Sequence, residues 1–82
     1  MPTIKRTGSL RVVIYPNDHR PAHVHVIGND GEAAFHLHCP DGPTELRENF
    51  GFSARELGSI LAALVADLRY LCNEWGKIHG NP

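Results

Sequence analysis

Apolar and polar residues alternate through the first half of this chain, and apolar residues recur every three to four positions through the last third. The two periods predict strands followed by a helix. Residues 10–15 (Leu-Arg-Val-Val-Ile-Tyr) are β-branched and aromatic, bracketed by Gly8 and Pro16, and read as a strand. Residues 3–6 offer a shorter one before it. Residues 23–27 and 32–38 form the next two, joined through Gly28-Asn29-Asp30-Gly31. Asp-Gly is a strong two-residue hairpin signal. A turn centred on Asp30-Gly31 sets His25 against His36 and His23 against His38. A turn centred on Asn29-Asp30 shifts the partners by two and keeps the same faces. A slip of one would bury the histidines, which the apolar pattern forbids. Val24, Val26, Ala33, Phe35 and Leu37 therefore share one face, and His23, His25, Ile27, Ala34, His36 and His38 the other. Leu10, Val12 and Ile14 match the apolar face, with Arg11, Val13 and Tyr15 on the histidine side, although Val13 fits either. Residues 39–43 are a turn, and residues 44–52 are ambiguous, with a short edge strand as one reading.

Ser53-Ala54-Arg55-Glu56 is a capping box, a hydroxyl at the helix start with a glutamate three residues on. A single helix is expected over about 53–79, stopped by Gly80. Leu57, Leu61, Leu64, Leu68, Leu71 and Trp75 fall in one stripe flanked by Ile60, Cys72 and Ile78, the pattern of a helix laid on a sheet. Such a helix is ~40 Å long against ~20 Å for a six-residue strand, so it crosses diagonally or overhangs. Gly58 inside it predicts a close contact. Ala62, Ala63, Ala66 and Tyr70 form a small-residue strip behind, either facing water or meeting a second helix.

At 82 residues one domain is expected, near the lower size limit for folding alone, so a dimer or a partner chain is a natural expectation. A net charge of -1 gives no broad pull toward nucleic acid or membrane. Cys39 and Cys72 have neither CxxC nor disulfide-framework spacing and read as reduced thiols of a cytoplasmic protein. No secretory signal is read at the N-terminus, and the longest apolar run is too short to span a bilayer.

The candidate chemistry sits in Asp18-His19-Arg20-Pro21-Ala22-His23-Val24-His25, which holds three of the six histidines. Histidine titrates near neutrality and is the commonest metal ligand. In a strand, both rings of His23-x-His25 point the same way. Three readings follow. His23 and His25 form an acid–base pair, oriented by His19 and Asp18, with Arg11, Arg20 and Tyr15 near enough to hold the phosphate of an RNA diester. Alternatively, His23, His25, His36 and His38, with Asp18 or His19 nearby, take a metal ion, zinc or nickel by ligand type, although the acid–base reading needs no cofactor. In the third, Asp18 caps its own turn and the histidines are a polar sheet face that docks a partner. His79 lies on the helix side of Leu61 and Trp75 and is expected to bond backbone.

These residues resemble a known family. Met1-Pro2-Thr3-Ile4, the run from Ile14-Tyr15-Pro16-Asn17-Asp18 through His23-Val24-His25-Val26, Glu32-Ala33 and Trp75-Gly76-Lys77-Ile78-His79 are similar to a family of small bacterial proteins, domain of unknown function four-one-six-zero. The resemblance covers nearly the whole chain. It implies a component of a toxin–antitoxin-type gene pair, often beside a second small family, domain of unknown function two-four-four-two, with no settled activity. Its motif falls on Asp18, His19, Pro21, His23 and His25, leaving His36 and His38 outside. Pro21-Ala22 stands where the family's Pro-Pro is usual.

The expectation is an α+β fold, a three- or four-stranded antiparallel β-meander with one long C-terminal helix on one face. The leading functional expectation is a toxin–antitoxin-like module. It binds a small partner protein encoded nearby or a second copy, and cleaves RNA through metal-independent histidine chemistry. A metal-binding protein and a non-catalytic interaction module are the alternatives.

Overall fold

The computed structural model describes residues 3–80. Five antiparallel strands run in sequence order across one sheet: β1 (Thr3–Thr7), β2 (Leu10–Val13), β3 (His23–Ile27), β4 (Glu32–His36) and β5 (Glu45–Phe50). Helices α1 (Ala54–Ala66) and α2 (Leu68–His79) follow. The α+β class is as the periodicity predicts. The sheet has one strand more than expected, because the ambiguous 44–52 stretch forms β5. That strand lies at an edge and is exposed along most of its length, so no buried alternation marks it in the sequence.

β3 and β4 pair with His23 opposite His36, His25 opposite Ala34 and Ile27 opposite Glu32. The turn is therefore centred on Asn29-Asp30, closed by the Gly28 amide donating to the Gly31 carbonyl at 2.9 Å. Gly31 is needed for space: a β-carbon there would lie 2.6 Å from the Phe50 carbonyl oxygen and 2.8 Å from the Phe52 nitrogen. Faces segregate as the pattern requires. Val12, Ile14, Val24, Val26, Ala33, Phe35 and Leu37 form one buried cluster with Ile60, Leu64, Leu71, Cys72 and Trp75 of the helices. Val13 is buried as well, but it stands opposite His25, on the histidine face.

The single long helix is corrected to two. Ser53 and Glu56 cap α1 reciprocally, as expected, but the chain leaves regular α-geometry at Asp67. There the amide bonds the Leu64 carbonyl three residues back, at 3.1 Å, a tighter turn than the α-helical one. Aspartate is a poor helix former, and its carboxylate pairs with Lys5 of β1. One straight helix over this span would measure about 39 Å, more than the 32 Å longest extent of the molecule. The interruption keeps the second half over the sheet.

Two further expectations are corrected. Gly58 has no neighbour within 4 Å of a would-be β-carbon, so no close contact explains it. Cys39 and Cys72 are not reduced thiols but a disulfide, with Cα atoms 5.8 Å apart. Cys39 continues the apolar side of β4, and Cys72 lies on the buried flank of α2, so the two side chains meet in the core. The cytoplasmic reading loses the support it drew from them. No helix among the described residues is long and apolar enough to cross a membrane.

Replacing Gly58 by alanine is expected to raise stability by about 1 kcal/mol. Gly51→Ala is expected to lower it by about 2 kcal/mol or more, because φ there is +99° and the methyl would strike the Asp30 carbonyl. Urea denaturation of both variants checks this, and a destabilised Gly58→Ala would mean that α1 is covered in solution. The disulfide closes a loop across 33 residues, so Cys72→Ser should cost about 3–4 kcal/mol. A urea midpoint indifferent to reductant would show that the bridge contributes nothing.

Candidate functional site

The site begins in the turn before β3. The Asp18 amide donates to the Tyr15 carbonyl at 3.0 Å, and the Tyr15 amide donates to Asp18 Oδ2, also at 3.0 Å. The carboxylate thus caps its own turn, which leaves Oδ1 free to point along the strand that follows. His25 Nε2 lies 3.3 Å from Oδ1, and His23 Nε2 lies 3.5 Å from it. The three side chains are 13% (Asp18), 6% (His23) and 15% (His25) exposed, so bulk water screens little of their interaction. One ligand atom from each lies within 4.8 Å of the others.

Tertiary contacts hold this arrangement. His23 Nδ1 lies 2.9 Å from the Pro21 carbonyl. A carbonyl only accepts, so Nδ1 carries the hydrogen. On its far side the His23 ring packs 5.4 Å from Trp75 of α2, and the Tyr15 ring meets His25 edge-on at 5.0 Å. The end of α2 grips the same loop twice. His79, stacked on Trp75, donates Nε2–H to the Tyr15 carbonyl at 3.1 Å, and Arg20 donates to the His79 carbonyl at 2.9 Å. His79 is thus bonded to backbone, as expected.

The remaining sequence candidates separate. His19 and Arg20 line a cleft of ≈ 380 Å³ over the cluster, together with Asn17, Pro21, His36, Arg47 and Glu48. Arg11 stands opposite Ile27 at the other end of the histidine face and does not line the cleft. Tyr15 touches His25 from the side. The four-histidine set does not converge. His36 is the cross-strand neighbour of His23, with ring centroids 6.4 Å apart, outside the three-ligand cluster. His38 leaves the strand at φ +52° and pairs with Glu45 at 2.6 Å. Of the two residues expected beside the histidines, Asp18 joins His23 and His25 in the cluster, and His19 lines the cleft.

Arg47 and Glu48 escaped sequence reasoning. Simple alternation along β5 puts neighbours on opposite faces, yet both line the cleft. The register shows why: Ala34 pairs with Glu48 and Phe35 with Leu46, so Arg47 is an extra residue in a β-bulge. A bulge re-aims a side chain, and no residue type in this stretch announces one.

Burial first, then the Arg47 guanidinium and His38, hold the His36 imidazole below its ordinary value of 6.5, with Glu45 pulling the other way. Its Nδ1 is buried without a partner, so a proton there gains no hydrogen bond. In the window below pH 6.5 the unfolded chain binds a proton that the native state resists. The stability contributed by neutral His36 is complete above pH 6.5 and is lost as pH falls toward the native value.

The fold and site together define a small α+β protein with a shielded Asp-His-His cluster opening on a polar cleft. A family model matches residues 10–76, and the chain belongs to that family, described as Domain of unknown function (DUF4160). Comparison with curated proteins and with solved structures returns no match.

In metal-free protein, the His36 ring proton signals followed by NMR should titrate with a midpoint below 6.5, and His36→Gln should flatten the loss of stability as pH falls below 6.5. A midpoint at or above 6.5 would mean that Glu45 outweighs burial.

Proposed function

We propose that Asp18, His23 and His25 form a mononuclear divalent-metal site, with zinc the ion of best fit, and that the site is of the open kind used in catalysis. The observation that carries this reading is the hydrogen-bond inventory of His23. With Nδ1–H donated to Pro21, the neutral ring turns the lone pair of Nε2 toward Asp18 Oδ1 at 3.5 Å. Two acceptors facing each other repel, and a cation between them removes the conflict. The spacing agrees. Zinc held tetrahedrally at about 2.0–2.1 Å sets neighbouring nitrogen and oxygen ligands about 3.3 Å apart, close to the 3.3 and 3.5 Å found here.

The supporting contacts are of the kind that metal ligands use. Backbone carbonyls commonly fix the tautomer of a ligating histidine, and hydrogen bonds orient a ligating carboxylate. Pro21 does the first for His23, and the Tyr15 amide does the second for Asp18. Three protein ligands leave a fourth position for water or substrate, whereas structural zinc sites are closed by four. A divalent ion in such a position supplies Lewis-acid polarisation and an acidified water. Asp18, His23 and His25 hold it, while the cleft above admits the ligand.

The same inventory favours one second reading. A proton on His23 Nε2 also satisfies Asp18, making His23 a general acid and His25 the companion base of metal-independent phosphodiester cleavage.

Protein purified without a histidine tag and then stripped should take up one zinc per chain in calorimetric titration. Asp18→Ala and His23→Ala should weaken uptake by about 100-fold or more with the circular dichroism spectrum kept. His38→Ala should leave it unchanged. Absence of one-to-one uptake in the parent protein, together with RNA cleavage that survives chelator, would replace this reading with the second.

A further inference from the structure

The open side of the cluster is not neutral. Arg47 stands on the cleft wall formed by β5, brought there by the bulge that lets it share a face with Glu48. It has no hydrogen bond or ion pair among the described residues, although Glu48 is its neighbour in sequence. It lines the same cleft as His36, the cross-strand neighbour of His23. A bulge and a charge both guard an exposed sheet edge against pairing, but this bulge also turns a cation toward histidines, where like charges raise the cost of protonating them. The arrangement acquires a further use if an anion enters.

We infer that the cleft binds a phosphate oxyanion, with Arg47 as the residue that selects it, next to the metal position formed by Asp18, His23 and His25. This rests on the metal reading given above. The guanidinium presents paired N–H donors that match two oxygens of a phosphate. The opposite wall, formed by the loop before β3, carries Asn17 and His19, whose side chains add donors from the other side. Donors from two walls over a metal floor suit a tetrahedral group with oxygens pointing several ways better than a planar carboxylate. The cleft of ≈ 380 Å³ admits the phosphate and a small substituent. Glu48 on the same wall disfavours a second negative charge close by, so a phosphodiester monoanion is expected to be tolerated at least as well as the free dianion.

The test uses the full chain loaded with zinc, titrated calorimetrically with inorganic phosphate and separately with dimethyl phosphate. Zinc uptake is measured first, in the parent protein and in Arg47→Ala, Arg47→Lys and Glu48→Ala. The expected result is one zinc in all four and phosphate binding by the parent. Binding should be at least about tenfold weaker in Arg47→Ala, partly restored in Arg47→Lys and equal or tighter in Glu48→Ala. The dimethyl phosphate arm tells a diester site from a site for free phosphate or a monoester. Zinc uptake intact with phosphate binding absent, or unchanged in Arg47→Ala, overturns the oxyanion inference and leaves the metal site standing. Failure of zinc uptake in the parent overturns the reading beneath it. Arg47-dependent phosphate binding in that zinc-free protein would still support the oxyanion position on its own.

Discussion

Burial of Val24 and Val26 against the helices fixes the direction of every side chain in β3. Both valines are essentially inaccessible to water, and alternation along a strand leaves no freedom once they are placed. His23 and His25 must then share the opposite face, two residues apart, with their rings 5.2 Å from centroid to centroid. The core thus sets the spacing of the candidate ligands, and any register error that misplaced them would expose the valines. Geometry at the site is protected by the hydrophobic effect on the other side of the sheet.

A strand can present two imidazoles but cannot bring a carboxylate to them. That task falls to the turn before β3, where Asp18 spends one oxygen on the Tyr15 amide and presents the other to the histidines. Such a turn is mobile unless something holds it. Here the last turn of α2 does so through His79 and Arg20. The Cys39–Cys72 bridge ties the same helix to the chain beyond β4, and Trp75, buried one turn further on, supports His23 from beneath. The C-terminal helix is therefore both the lid of the core and the clamp of the site.

The bulge in β5 is the least economical feature of the sheet and the one that most changes the cleft. Without it Arg47 would pair with Phe35 and face the apolar side, leaving Glu48 on the β5 wall of the cleft with no cation beside it. With it, the cleft holds the Arg47 cation beside the Asp18–His23–His25 cluster. On the proposed reading, this combination favours anionic ligands.

Much of this was legible in the residues. Two periods, a capping box and the rule against burying histidines give the class, the two faces, the start and end of the helical region and the pairing of β3 with β4 to within the choice of turn. Asp18, His19, His23 and His25 stand out by type and spacing, though nothing in the residues separates His19 from the other three. What the chain does not announce depends on contacts between residues far apart. The break at Asp67 arises because Lys5 and the length of the sheet act on a helix whose own period runs on unbroken. The disulfide needs the parity of β4 and the wheel position of α2 at once, and each is readable singly. His38 leaves the cluster through a left-handed turn toward Glu45, and Arg47 enters the cleft through an extra residue in the ladder. Local sequence determined which side of each element faces the core, because burial enforces a period. Only the tertiary structure decided which polar groups meet on the other side, because there no apolar pattern constrains them.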